Sequence, residues 1–247
     1  MGLVVNADDF GLSHEVNKAI CQSFKEGKIN RTTLMTNMPY AREAMEMAAN
    51  EGFIDRVGIH LNLTSGIPLT DKIAKDSLMC NENGEFTADF ARSMKMRFFL
   101  PAETGKNIEI ELDGQMKEYE KLGGALWHID SHHHVHTDPS VWKSLRRVLK
   151  KYPVSGVRLG RNMYRGGNPL MHLYKALYNK TVSRFCRLKP DYFGSMEDYM
   201  NWTKDMTSSQ KGEFLTNNQV EIMVHPMFDA AGRLTDSLEE FPKVLSE

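Results

Sequence analysis

A dense cluster of histidines lies in the middle of the chain. Five of the nine histidines fall between positions 128 and 136, together with Asp130. The cluster directly follows the apolar residues 124–127, so it is not a terminal purification tag. An apolar segment that changes abruptly into imidazole and carboxylate side chains is typical of a buried strand that delivers polar groups to a site. We therefore expect metal chemistry here.

The spacing within the cluster favours several inward-facing ligands. Strand alternation places His128, Asp130 and His132 on one side, while Trp127 and Ile129 face the other. One carboxylate and two neutral imidazoles would hold a divalent ion and leave coordination positions open for water and substrate. The pattern leaves open which histidines are ligands. Some are expected to orient the true ligands through hydrogen bonds.

Other polar residues also follow apolar runs, at the points where predicted strands end. Asp8 and Asp9 end the first strand, His60 and Asn62 end the third, and His225 ends the last. The carboxyl ends of the strands of a parallel barrel open onto the same face, where catalytic groups converge. Residues far apart in the sequence are therefore expected to meet in one cavity.

The elements that must position these residues alternate between short apolar runs and longer amphipathic segments. Strands are predicted at residues 3–7, 32–37, 57–62, 125–130, 156–159, 191–194 and 220–224. Helices are predicted at about residues 13–27, 40–50, 107–122 and 139–151, and residues 63–105 are irregular. This alternation predicts an α/β fold, a deformed or incomplete (β/α) barrel of the TIM type with outer helices. Residues 1–247 are expected to form a single domain.

Composition excludes several classes of function. The formal net charge is −1 and no block of like charges occurs, so neither nucleic acid nor an anionic membrane is an expected partner. The three cysteines are widely spaced and are expected to be reduced thiols. No apolar stretch is long enough for a membrane span or an export signal. We expect a cytoplasmic protein.

Four segments at predicted strand ends resemble the motifs of one family. They are Asn6-Ala-Asp-Asp-Phe-Gly11, Gly58-Ile-His-Leu-Asn-Leu-Thr64, the cluster at 128–136, and Glu221-Ile-Met-Val-His-Pro226. In this order they are similar to the hallmark motifs of the YdjC-type carbohydrate deacetylases, a group that includes chitooligosaccharide deacetylase. The resemblance implies a deformed (β/α) barrel that removes acetyl groups from N-acetylated sugars with the help of a divalent metal ion.

The resemblance also implies a role for particular residues. Position by position, the metal ligands would be Asp9, His60 and His132. Asp8 would act as the general base on a metal-activated water, and His225 would protonate the leaving amine. The resemblance favours Mg²⁺, with Zn²⁺, Mn²⁺ and Co²⁺ as alternatives.

Further residues are expected to orient these groups or to contact the substrate. They are His128, Asp130, His134 and Arg158. Asp130 could equally be structural, and Arg158 could equally be an ion-pair partner of another buried group.

Two other functions share the same ligand set. Two histidines and one carboxylate also bind ferrous iron in non-haem oxygenases. A non-catalytic metal-binding protein is the third hypothesis, and it would have no need of Asp8.

The resemblance is incomplete at the C-terminus. After Phe241 and Pro242 the sequence stops at Glu247, whereas members of the family continue through a helix and a final apolar strand. The barrel is therefore expected to lack the last elements of the family. The expected partners are an acetylated amino sugar and a second copy of the chain in a homodimer.

Overall fold

Seven parallel strands form one curled sheet, a half-barrel. The computed structural model describes residues 2–164, 166, 168–187 and 190–236. The order of the strands across the sheet is β5-β4-β3-β2-β1-β7-β6. Within the described residues the edge strands β5 and β6 do not pair with each other. The prediction of an incomplete barrel is confirmed. The strands are β1 (Leu3–Phe10), β2 (Arg31–Leu34), β3 (Val57–Leu61), β4 (His128–Ser131), β5 (Gly156–Val157), β6 (Tyr192–Ser195) and β7 (Val220–Val224).

Helices connect and cover these strands. The described helices are α1 (His14–Lys25), α2 (Ala41–Asn50), α3 (Asp71–Ala74), α4 (Asp89–Arg92), α5 (Met94–Phe98), α6 (Ala102–Lys121), α7 (Pro139–Val148), α8 (Pro169–Val182), α9 (Met196–Thr203) and α10 (Ser208–Asn217). An antiparallel ribbon of β8 (Pro226–Phe228) and β9 (Leu234–Asp236) follows the sheet. Among the described helices, none combines the length and the apolar character that crossing a membrane requires.

Local sequence explains where the main helices begin and what they bury. The Ser13 hydroxyl accepts a hydrogen bond from the Val16 amide and so caps α1. Pro139 occupies the first turn of α7, where its missing N–H leaves no hydrogen bond unmade. In α6 the buried Ile108 and Leu112 lie four residues apart, on the stripe that packs against α7 and β3.

The predicted boundaries are wrong where a turn interrupts an apolar run. β2 ends at Leu34, because the amide of Met38 closes a turn onto the carbonyl of Met35. α6 begins at Ala102, five residues earlier than predicted, and the irregular region before it contains α3, α4 and α5. β8 and β9 were not predicted. The predicted departure at residues 241–247 lies outside the described residues.

Candidate metal centre

Two adjacent carboxylates, Asp8 and Asp9, lie where β1 becomes irregular near its end. Asp9 has a left-handed backbone with φ 67°, and the pairing of β1 with β2 shifts register between Ala7 and Phe10. Aspartate is one of the few residues that adopts this conformation readily. A regular strand would place Asp8 and Asp9 on opposite faces of the sheet. The irregular backbone instead allows both side chains to face one cavity at the carboxyl ends of the strands.

Asp9 is the centre of a cluster of three potential metal ligands. Its Oδ1 lies 2.8 Å from His132 Nδ1 and 3.2 Å from His60 Nε2. The ligand atoms of Asp9, His60 and His132 all lie within 4.8 Å of one another. The side chain of His60 is 1% exposed, whereas those of Asp9 and His132 are 13% and 15% exposed, so the cluster is partly open to solvent. The donor set fits a divalent ion with open coordination positions.

The ring of His60 is oriented from behind by polar groups of two neighbouring strands. His60 Nδ1 lies 2.7 Å from Asp130 Oδ1, and the Thr33 hydroxyl donates to Asp130 Oδ2 at 3.0 Å. With its Nδ1 proton directed at a carboxylate, His60 presents Nε2 to the cavity, the usual arrangement for a metal-binding histidine. Burial alone would lower the pKa of His60, but Asp130 and the other nearby carboxylates raise it to about 10. A site that holds a proton so strongly also attracts a metal cation.

Asp8 is held by a different partner. Its two oxygens accept hydrogen bonds from Arg158 Nη1 and Nη2 at 2.6 and 2.7 Å, and Asn6 donates to Oδ1 at 2.8 Å. Burial would raise the pKa of the Asp8 carboxyl, but the Arg158 guanidinium outweighs burial and holds that pKa well below its usual range. Asp8 is therefore an ionised carboxylate beside the cluster.

Arg158 joins three buried carboxylates. In addition to Asp8, it contacts Asp130 Oδ2 through Nη2 at 2.7 Å and Glu221 Oε1 through Nε at 2.6 Å. Its guanidinium lies 4.8 Å from the centre of the Phe193 ring, and the side chain is fully buried. The Arg158 guanidinium lowers the pKa values of the Asp8 and Glu221 carboxyl groups. Arg158 is thus an ion-pair partner of three buried carboxylates, one of which is Asp8.

The histidine cluster does not continue β4 as a strand. His132 begins a 3₁₀ turn over His132–Thr137, and His133 and His134 both have left-handed backbones, with φ of 53° and 55°. The predicted alternation through His132 is therefore wrong, because β4 ends at Ser131. His132 reaches Asp9 from this turn. The other histidines go elsewhere: His133 Nδ1 lies 3.0 Å from the Thr64 hydroxyl, and His136 Nδ1 lies 2.6 Å from Ser131 Oγ.

His134 is a half-buried, neutral histidine near the carboxylates. Its ring packs edge-on against Phe193, with centroids 5.8 Å apart. Burial, with a contribution from Arg158, lowers the pKa of His134 to about 3. Among the described residues Nδ1 of this ring has no hydrogen-bond partner. His134 can therefore offer a neutral imidazole at this end of the sheet.

The last two predicted site residues lie at opposite ends of their strands. His225 follows β7 and is half-buried, and its charge contributes to the low pKa of Asp8, so the two side chains are near each other. The His225 amide donates to Asp236 Oδ2 at 3.4 Å. His128 begins β4, and its Nε2 lies 3.4 Å from Glu221 Oε2, on the side of the network away from Asp9.

Two further groups of possible ligands are less suited to a metal. Asp8, His60 and Asp130 form one, and His128, Asp130 and Glu221 form the other. The carboxylates in both groups already pair with the Arg158 guanidinium, whose positive charge opposes a second cation. Of the described residues, only the Asp9 cluster combines ligand geometry with freedom from Arg158.

Three residues of the network were missed by sequence reasoning. Glu221 stands at the start of the fourth motif, but the sequence pattern predicts only that it lies in a strand. A charged residue inside a buried strand is the signal that could have singled it out. Asn6 and Thr33 carry no comparable signal, because short polar side chains are common in strands of every function.

The molecule is therefore an α/β half-barrel with a candidate Asp-His-His metal site at the carboxyl ends of its strands. A sequence profile described as YdjC-like protein matches residues 2–243. The chain belongs to the YdjC-like family.

Individual relatives agree with this assignment. A carbohydrate deacetylase of Geobacillus stearothermophilus is 34% identical over 227 residues, which cover 91% of this chain and 79% of the relative. A carbohydrate deacetylase of Clostridium beijerinckii is 29% identical over 248 residues, with 99% and 89% covered. The crystal structure of a putative cellobiose-phosphate cleavage protein from Enterococcus faecalis superposes with a TM-score of 0.65 at 26% identity, covering 93% of this chain and 82% of that one.

Proposed function

We propose that this protein is a metal-dependent deacetylase of N-acetylated sugars. The main observation in support is the Asp9-His60-His132 cluster with the ionised Asp8 beside it, in a chain similar to proteins named carbohydrate deacetylase. Asp9, His60 and His132 would hold the divalent ion through one carboxylate oxygen and two imidazole nitrogens. A bound divalent ion supplies polarisation of the acetamide carbonyl and a lower pKa for water.

Asp8 is the proposed general base. A carboxylate oxygen has two lone pairs, and Oδ2 of Asp8 uses one of them to accept from Arg158 Nη1. The second lone pair of Oδ2 can accept a proton from water. The low pKa keeps Asp8 ionised throughout the working range of pH, and the Arg158 contacts hold the carboxylate in one orientation. General base catalysis of this kind contributes about 10²- to 10⁴-fold to the rate.

His225 is the proposed general acid. An amine leaves readily only when it is protonated, so the reaction needs a donor on the side of the scissile bond opposite the base. His225 is half-buried at the end of β7, beside β1, which carries Asp8 and Asp9. Imidazole is suited to give and regain a proton near neutral pH.

The remaining network would keep these groups in place. Asp130 orients His60, and Arg158 holds Asp8 and Asp130 together through one guanidinium. His134 presents a neutral ring on the same side, where it is suited to contact the bound sugar. The donor set of two imidazoles and one carboxylate suits Zn²⁺, Co²⁺ and Mn²⁺ as well as the Mg²⁺ that the family resemblance favours.

Release of acetate from N-acetylated sugars tests the proposal. The protein is stripped with a chelator, reloaded from a panel of Mg²⁺, Mn²⁺, Co²⁺, Zn²⁺ and Fe²⁺, and incubated with diacetylchitobiose and longer N-acetylated oligosaccharides. We expect acetate release that is lost on stripping and restored by at least one redox-inactive ion. Activity that requires both iron and oxygen would support the oxygenase hypothesis instead.

Two variants of adjacent residues separate the chemistry from metal binding. Asp8→Asn is expected to bind metal normally and to lose about 10²- to 10⁴-fold in kcat. Asp9→Asn, its matched control, is expected to lose the metal as well as the activity. Full activity in Asp8→Asn would contradict the proposed mechanism and favour a non-catalytic role for that carboxylate.

A further inference from the structure

A second cavity lies at the opposite end of the sheet from the metal cluster. It has a volume of about 280 Å³ and is bounded by the residues with which five strands begin. We call it the floor cavity. Val4, Val157 and Val220 form apolar walls, and Arg31 and His128 are polar groups in its lining. The volume is at the lower end of the range for small-molecule sites, about 300 to 1,000 Å³.

Arg31 is a mostly buried cation without a contact partner. Within the described ranges of the chain it makes neither a hydrogen bond nor an ion pair, although Glu221 and Asp130 are close enough to act on it electrostatically. Both of these carboxylates are in contact with Arg158 instead. Burial lowers the pKa of Arg31, which means that the charged guanidinium is poorly solvated where it lies. An unpaired buried charge is unfavourable, and an anion would offset it.

His128 is a second polar group of the lining, and its ring pairs only weakly with Glu221. The residue is 6% exposed, and its Nε2 has no hydrogen-bond partner among the described residues. That atom lies 3.4 Å from Glu221 Oε2, at the limit of hydrogen-bond distance and without the geometry of one. Buried polar atoms in proteins are nearly always satisfied, so an unsatisfied one that lines a cavity points to a ligand or to water.

The surrounding charges decide which ligand is suitable. A metal ion is disfavoured, because the guanidinium of Arg158 lies against both Asp130 and Glu221. Glu221 repels any anion, and it repels a doubly charged phosphate more strongly than a singly charged group. A carboxylate carries one charge and matches the planar guanidinium of arginine with two parallel hydrogen bonds. The apolar walls add a preference for a hydrocarbon body.

We propose that the floor cavity binds a small organic carboxylate, with its anionic group on Arg31 and its apolar body between Val4, Val157 and Val220. This ligand is distinct from the sugar substrate, because the residues that line the cavity lie at the amino ends of the strands. The proposal does not depend on the proposed deacetylase activity.

Calorimetric titration of the full chain with benzoate tests this site. We expect saturable binding of benzoate, and binding at least about tenfold weaker for benzyl alcohol, which has the same ring without the charge. Arg31→Gln is expected to weaken benzoate binding by about 10- to 100-fold, the usual effect of losing a hydrogen bond to a charged group. Arg187→Gln is the matched control, because Arg187 is an exposed cation at the rim of the same cavity.

Other outcomes decide against the proposal. Equal binding of benzoate and benzyl alcohol would show an apolar cavity without an anion site. Equal weakening by Arg31→Gln and Arg187→Gln would show only nonspecific attraction, and loss of benzoate binding in Asp9→Asn would place the ligand at the metal cluster. The comparison with benzyl alcohol and the titration of Asp9→Asn do not need Arg31→Gln, so together they decide whether an anion site separate from the metal cluster exists even if Arg31→Gln does not fold.

Discussion

The pairing of charged side chains differs between the two ends of the sheet. At the carboxyl ends, the described acidic and basic groups contact one another: Asp9 lies between two histidines, and Asp130 between His60 and Arg158. At the amino ends, Arg31 makes no such contact within the described residues, and His128 only approaches Glu221 Oε2 at 3.4 Å. The same strands thus carry a network of paired charges at one end and a cavity with an unpaired guanidinium at the other.

The difference arises from the backbone. At the carboxyl ends, Asp9, His133 and His134 adopt left-handed conformations, which turn neighbouring side chains toward one cavity. Each left-handed residue other than glycine costs about 1 kcal/mol or more, and such strain concentrates at functional sites. The described strands begin at their amino ends without left-handed residues, so adjacent side chains alternate between the two faces. The carboxyl ends bring ligands together because they depart from regular geometry.

Arg158 connects the two ends. Its Nη1 and Nη2 contact Asp8 and Asp130 on the side of the metal cluster, and its Nε contacts Glu221 on the side of the floor cavity. A disturbance of Glu221 can therefore reach Asp8 through a single side chain. The following changes test how far the two ends are independent.

Removing a ligand from the metal cluster is expected to have the largest effect. His60→Gln should lower kcat/KM by about 10³-fold or more, because the ion contributes several kcal/mol of transition-state stabilisation and each 1.36 kcal/mol is tenfold. Metal content after dialysis and initial rates of acetate release measure it. The control is His172→Gln, a histidine stacked on Tyr164 away from the cluster. A His60→Gln protein that keeps both metal and activity would exclude His60 as a ligand.

Removing the charge behind His60 is expected to have a smaller effect of the same kind. Asp130→Asn should weaken metal binding by about 10- to 100-fold, the usual result when the group that orients a ligand is changed. Dissociation constants from competition with a chelating dye measure the effect. Glu111→Gln is the matched control, since Glu111 is a buried carboxylate on α6 that accepts hydrogen bonds from Leu69 and Thr70. Equal losses in both variants would indicate general destabilisation.

Much of the metal-binding end could be predicted from the sequence. Asp8, Asp9 and His60 stand at the ends of apolar runs, and the carboxyl ends of parallel strands meet at one edge of a sheet. Those two facts were enough to bring the residues together. The turn after β4 could not be predicted, because strand alternation carries no sign of the left-handed His133 and His134.

The partners of Arg158 were also beyond the sequence. Its contacts join positions 28, 63 and 150 residues away, and a charged residue after a short apolar run has many possible partners. The floor cavity could not be predicted from the sequence either, for a related reason. An unpaired Arg31 can be recognised only when the packing around it is known.

A change at the amino ends is expected to affect stability rather than chemistry. In Gly58→Ala the added Cβ would lie 2.7 Å from the His128 carbonyl oxygen and 3.1 Å from Thr33 Cγ2. Relief of that overlap requires β3 and β4 to move apart, and overpacking of this kind typically costs about 1 to 3 kcal/mol. Denaturant titration gives the free energy of unfolding. The metal affinity of the folded protein is expected to stay unchanged.

Gly212→Ala is the control for this substitution. Gly212 lies within α10 with open space around its Cα, so alanine there should stabilise the protein by about 0.5 to 1 kcal/mol. If Gly58→Ala leaves the free energy of unfolding unchanged but weakens metal binding, the two ends are coupled more tightly than the contacts of Arg158 imply.

The smallest expected effect concerns the pH dependence of stability at His136. Burial holds the pKa of His136 well below its usual value, with further lowering from His134 and Arg158. The unfolded chain therefore binds a proton below about pH 6.5 that the folded chain does not bind. Stability is fully present above that pH and falls as the pH decreases, by up to about 1.4 kcal/mol per pH unit for this one group.

Comparison with His136→Gln isolates this contribution, because the difference between the two proteins cancels the acid dependence of all other groups. Between pH 7.0 and pH 5.5, the free energy of unfolding is expected to decrease by about 1 kcal/mol less in the variant than in the unsubstituted protein. Identical decreases would mean that His136 is protonated in the folded protein. In that case Ser131 Oγ, which lies 2.6 Å from its Nδ1, could only accept a hydrogen bond from the ring. The charge would then lie at the same end of the sheet as the metal cluster and would weaken the attraction of that end for a cation.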